Sequence, residues 1–143
     1  MRDNKSRNLN LSSCEVTDYL KEGVFMIRPI LSCSNPYEIS DIFVNAGWDL
    51  DFSQPIESGD PLVGVSLQGN SILLGVVEGY VKEEDVKHLG CGVVIYLTVP
   101  HEHIETIYQN HKNLEPTELT IQPWGDYAFE VIVGGYKFMI ASN

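Results

Sequence analysis

With 143 residues the chain has material for one domain, or for two half-domains sharing a core, and too little for two independent ones. An apolar share of 43% and a charged share of 20% are those of a globular fold, and no run approaches the roughly 20 apolar residues of a membrane span. A formal net charge of -11, with 9 Lys plus Arg, argues against a nucleic-acid partner, because phosphate contacts need a basic face; cationic ligands are weakly favoured instead.

Met1–Asn10 is polar and without period, which predicts a partly mobile extension over residues 1–24; it lacks the apolar core of a secretory leader, so a cytoplasmic protein with no membrane partner is expected. Ser12 or Ser13, with Glu15 close behind, suits the cap of a short helix through Leu20 that ends at Gly23. Phe25–Ser32 reads as a strand, and Pro29 within it implies an edge or a bulge. Asn35 can cap a helix with Pro36 in its first turn and Ile39, Ile42 and Phe43 as the buried stripe, stopped by Gly47. Trp48–Phe52 is a second strand and Pro55–Pro61 a loop. Val63, Val65 and Leu67 alternate with small or polar residues, and Gly69-Asn70 turns the chain into a strand over Ile72–Val77.

Glu78–Gly90 is a charged, solvated connector with room for a helical turn. The pattern then starts again. Val93–Val99 is a strand, Pro100 opens a helix with Ile104, Ile107 and Tyr108 on one face, and Glu118–Gln122 is a short strand. Tyr127, Phe129, Val131 and Val133 alternate along a strand that Gly134-Gly135 turns into a returning strand carrying Tyr136, Phe138 and Ile140. The halves correspond at one offset: Ile39 with Ile104, Ile42 with Ile107, Phe43 with Tyr108 and Gly69 with Gly134 each differ by 65 (104 − 39). That is an internal duplication of a βαβββ unit, with repeats at about 26–77 and 92–143 inside a single domain over 25–143.

Chemistry is sparse. Cys14, Cys33 and Cys91 are odd in number and share no metal spacing, as expected of reduced thiols. No phosphate loop, nucleophile elbow or dinucleotide fingerprint is present. His101 and His103, two apart, point away from each other on a helix, and a surface role is expected for them and for His88 and His111.

The Gln122-Pro123-Trp124-Gly125 loop and the closing Gly134-Gly135-Tyr136 hairpin resemble those of the glyoxalase/bleomycin-resistance, or vicinal oxygen chelate, family over about Met26–Ala141. The resemblance implies an α+β fold of two βαβββ modules forming a curved, cup-like mixed sheet. It also implies a homodimer, and in many members a divalent metal held by strand residues. Carried over by motif, those ligand positions fall on Arg28, on Leu73 or Leu74, on Val94 and on Met139. A fixed cation, two aliphatic side chains and one thioether do not make a divalent-metal site, so no metal cofactor is expected. With those positions facing inward, the same face carries Arg28, Ile30 and Ser32, then Val94, Tyr96 and Thr98, then Lys137, Met139 and Ala141. The reading is a metal-free binder of a small organic molecule, of the kind that sequesters an aromatic antibiotic, with Arg28, Val94, Tyr96, Trp124 and Met139 as ligand-binding residues and no catalytic residue assigned. Alternatives are an isomerase, lyase or dioxygenase with a rearranged metal site, and a partner-binding domain whose cup is filled by its own side chains.

Overall fold

The computed structural model describes residues 25–143, so the extension over residues 1–24, its capped helix and Cys14 lie outside the described residues. Strand β1 (Ile30–Cys33), helix α1 (Pro36–Asn45) and strands β2 (Asp49–Ser53), β3 (Leu62–Leu67) and β4 (Asn70–Val76) make one βαβββ unit. Strand β5 (Val94–Thr98), helix α2 (Ile104–Asn110) and strands β6 (Thr120–Ile121), β7 (Tyr127–Val133) and β8 (Tyr136–Ser142) make a second. Each unit forms an open four-stranded sheet, in the orders β1-β4-β3-β2 and β5-β8-β7-β6. In each sheet the unit's first and last strands run parallel and the other pairs run antiparallel. The α+β duplication expected from the sequence is the architecture observed.

Local chemistry explains most boundaries. The Asn35 side chain accepts from the Tyr37 and Glu38 amides at 3.0 and 3.3 Å, Pro36 fills the first turn, and Gly47 at φ +99° turns the chain away after Ala46. Both hairpins close through two residues at positive φ, Gln68-Gly69 and Gly134-Gly135, the geometry that matches strand twist in a two-residue loop. The connector contains a 3-10 turn over Glu83–His88, and α2 is led in by another over His101–His103.

Two expectations need correction. The first strand begins at Ile30 and not at Phe25: Pro29 has no N–H to give a ladder, although its carbonyl still accepts from the Leu73 amide at 2.9 Å. β1 is an edge strand, as Pro29 implies. The turn equivalence is also displaced by one. Strand pairing sets Ile30 against Leu73 and Tyr96 against Met139, an offset of 66 (96 − 30), while the helices still end 65 apart at Asn45 and Asn110 (110 − 45). Gly69 therefore answers to Gly135.

The two units share one apolar core. Phe43 and Trp48 of the first unit pack against Phe138 of the second with ring centroids 5.3 and 6.1 Å apart, and the Trp48 indole donates to His111 Nε2 at 3.0 Å. Two further bonds cross between the units and are symmetry mates under the offset of 66 (136 − 70, 98 − 32): Tyr136 hydroxyl to Ser32 carbonyl at 2.8 Å, and Asn70 Nδ2 to Thr98 carbonyl at 2.9 Å. The first residue of each unit's last strand thus clasps the first strand of the other unit.

Gly90 ends the connector where a side chain cannot fit: a Cβ there would overlap the Gly135 carbonyl oxygen, and its φ is +83°. Gly92, at φ +78°, faces open space. Gly92→Ala is expected to cost about 1–2 kcal/mol for the left-handed backbone alone, and Gly90→Ala distinctly more; chemical denaturation of the two variants checks the order, and equal losses would contradict the close approach.

Candidate functional site

Strand alternation gives each sheet one face toward the shared core and one face away from it. On the first sheet the outward row runs Ile30, Leu73, Gly64, Phe52 across four strands. A bulge at Asp51 brings Phe52 onto this row, and its ring lies where a Cβ on Gly64 would stand. On the second sheet the outward rows are Val94, Lys137, Ile132, then Tyr96, Met139, Glu130, then Thr98, Ala141, Ala128.

The most organised part of these faces is a corner around Tyr96. Trp124 Nε1 donates to the Tyr96 hydroxyl at 2.9 Å, and that hydroxyl donates to the Asp126 carboxylate. The ring centroids of Tyr96 and Trp124 lie 6.4 Å apart. The loop that presents them is closed by Gly125 N to Gln122 O at 2.8 Å and Gln122 N to Asp126 O at 2.7 Å, with Gly125 at φ +105° as the residue that permits so tight a turn. The hydrogen bond to Asp126 raises the Tyr96 phenol above its usual pKa, because ionisation would place two anions together. Trp124 remains 56% exposed and Tyr96 44% exposed, so both rings are available to a flat molecule. Beside them Ala128, Met139 and Ala141 form a small buried cluster separate from the main core.

Four of the five expected ligand residues are thus on one face: Val94, Tyr96 and Met139 by strand register, and Trp124 by its bond to Tyr96. Arg28 is not among them. It precedes β1 as an exposed residue outside the sheet, because the strand starts only after Pro29. Two members of the set line different cavities: Tyr96 lines one of about 210 Å³ between the units, and Met139 lines another of about 340 Å³ with Thr120, Gln122 and Glu130. Asp126 was missed by sequence reasoning; the available signal was a carboxylate two residues after an indole across a glycine.

The other candidates become structural. His111 is 1% exposed, not a surface residue; Nδ1 lies 2.7 Å from the Ile107 carbonyl and Nε2 accepts from Trp48, which fixes one neutral tautomer. His101 Nδ1 meets Ser142 Oγ at 2.9 Å, and His103 lies 3.8 Å from Glu102 at the surface. Cys33 is buried, and burial pushes its thiol up to about 11, which removes it as a nucleophile. Among the described residues no helix is long and apolar enough to cross a membrane.

The sequence matches no protein-family model, and no curated protein matches it. Solved structures do match. A bleomycin-binding protein complexed with bleomycin superposes with a TM-score of 0.60 at 9% identity, over 84% of this chain and 99% of that one. A member of the glyoxalase/bleomycin resistance protein/dioxygenase superfamily from Sphaerobacter thermophilus gives 0.61 at 18% identity, over 85% and 99%. This chain has the glyoxalase/bleomycin-resistance fold. A third structure with that fold, the fosfomycin resistance protein FosX from Listeria monocytogenes complexed with Mn(II) and sulfate, gives 0.55 at 10% identity, over 83% and 92%.

The metal positions implied by the fold family are occupied here by residues that do not suit one. Of the two leucines, Leu73 is the outward residue, paired with Ile30, whereas Leu74 is buried in the core. Arg28, Leu73, Val94 and Met139 supply no imidazole or carboxylate, and the described residues contain no group of three or more His, Cys, Asp or Glu placed to hold an ion.

Proposed function

We propose that this chain binds a small organic molecule without a metal, sequestering an antibiotic-like aromatic compound, and that it acts as a homodimer in the cytoplasm. The single observation that carries this reading is the Trp124–Tyr96–Asp126 corner: two exposed rings held in fixed orientation by hydrogen bonds on an outward sheet face. Preorganised rings lose little entropy on binding, which favours a planar ligand. The bleomycin complex of one structural neighbour supports the ligand class. In this reading Trp124 stacks on the ligand, Tyr96 and Val94 line its flank, and Asp126 orients Tyr96. Met139, 8% exposed, serves mainly as floor. Arg28 reaches the ligand from the segment before β1.

A second reading has one observation in its favour. Ala128, Met139 and Ala141 are already covered, so part of this face is filled by the chain itself, as in a partner-binding domain.

Tryptophan fluorescence separates the two, because Trp48 is buried and bonded to His111 while Trp124 is exposed. Titration with a panel of basic aromatic antibiotics and aromatic acids should give saturable quenching that Trp124→Phe removes. Trp124→Ala should weaken binding about tenfold, the loss expected for one stacked ring. Arg28→Ala should weaken an anionic ligand and strengthen a cationic one. No quenching by any compound would end the small-molecule reading.

A further inference from the structure

A second concave region lies on the first unit, where the β2–β3 loop faces the turn that follows β4. It encloses about 640 Å³, with Tyr37, Ile56, Asp60, Glu78 and Tyr80 in its walls. It shares Asp60, Pro61, Val76 and Tyr80 with a cavity of about 310 Å³ that runs onto the outward face of the first sheet along Ile30, Leu62 and Gly75. The combined space is of the size that small-molecule sites have.

Tyr80 stands at the junction. Its backbone is fixed by turn bonds from Tyr80 N and Val81 N to the Val77 carbonyl at 2.9 and 2.8 Å, its hydroxyl meets Asp60 Oδ1 at 3.4 Å, and it is nevertheless 69% exposed. Tyr37, which also lines the larger cavity, is pinned by its hydroxyl to the Gln54 carbonyl. Among the described residues, the charged side chains lining either cavity are the carboxylates Asp60 and Glu78, with no Lys, Arg or His beside them.

We propose that this cleft binds an organic ammonium group: the cation lies against the faces of Tyr80 and Tyr37, Asp60 and Glu78 supply the opposing charge, and the attached apolar body runs toward Ile30 and Leu62. An aromatic face attracts a cation through its quadrupole, most strongly for weakly hydrated ammonium groups. An inorganic divalent ion fits the lining less well, since it takes six or more oxygen ligands and two carboxylates on separate loops beside apolar walls do not furnish them. The site shares no residue with the Tyr96 corner, so it stands or falls separately from the function proposed above.

The full chain, followed by amide NMR, should be titrated with choline, with the neutral carbon isostere dimethylbutanol, and with Mg²⁺. Choline is expected to give saturable shifts at Gly59, Gly79 and Tyr80, with the alcohol and Mg²⁺ at least about tenfold weaker. Tyr80→Ala and Asp60→Asn should each reduce choline affinity about two- to fivefold, and an otherwise unchanged spectrum shows that the fold is kept. Four outcomes would overturn the proposal: no saturation, an equal response to the alcohol, an equal response to Mg²⁺, or shifts centred on the Trp124 indole. Unchanged affinity in both variants would do the same.

Discussion

Phe138→Ala is expected to destabilise the whole chain by about 3–5 kcal/mol, the range for removing a buried aromatic ring that leaves a cavity. Phe138 is 0% exposed and meets Phe43 edge-on and Trp48 beyond it, so the void would open at the contact between the two units. Phe138→Leu keeps most of the volume and should cost roughly 1–2 kcal/mol. Because both units bury residues in the same cluster, unfolding of the native chain should be a single transition seen alike by far-ultraviolet circular dichroism and by fluorescence. A loss below about 1 kcal/mol for the alanine variant, or two separate transitions in the native chain, would show that the units do not depend on each other in this way.

Acidification should strike the same junction through His111. Burial lowers its pKa from the ordinary 6.5, and neither ring nitrogen can take another proton without breaking a bond: Nε2 accepts the Trp48 indole, and Nδ1 faces the Ile107 carbonyl as a donor. The folded state therefore holds the imidazole neutral, whereas the unfolded chain takes up a proton near 6.5. Unfolding consumes a proton in the window between the lowered folded value and 6.5, so the stabilisation is complete above that window and is lost as pH falls through it. For this one group the slope cannot exceed about 1.4 kcal/mol per pH unit. Thermal midpoints measured from neutral pH downward should fall for the native chain, and His111→Gln, less stable at neutral pH, should show a flatter profile over the same range. Parallel profiles for the two proteins would remove His111 as the cause.

What the sequence determined by itself was whatever depends on local chemistry. Asn35 with Pro36 starts a helix because an unpaired amide needs an acceptor and a proline needs none. Gly134-Gly135 turns a hairpin because positive φ is free there. A stripe at Ile39, Ile42 and Phe43, repeated at Ile104, Ile107 and Tyr108, exposes the duplication because both helices must bury one side. From these the duplicated βαβββ unit followed; the family resemblance supplied the fold class and, through its carried-over positions, the expectation that Val94, Tyr96 and Met139 share one face.

Tertiary structure alone decided where strands begin and which polar groups find each other. Pro29 limits β1 from its own side, but it is the pairing with the distant β4, which begins at Ile30 against Leu73, that leaves Arg28 off the sheet. The offset of 66 in the strands, against 65 at the helix ends, is set by pairing across each sheet, which side-chain periodicity does not encode. His111 looked like a surface residue because a lone histidine carries no local sign of burial; only the packing of both units brings Trp48, 63 residues away, to its free nitrogen. Asp126 likewise acquires a role only because Tyr96, 30 residues earlier, stands on β5, beyond β8 from the loop that leads into β7, with its hydroxyl turned to meet the carboxylate.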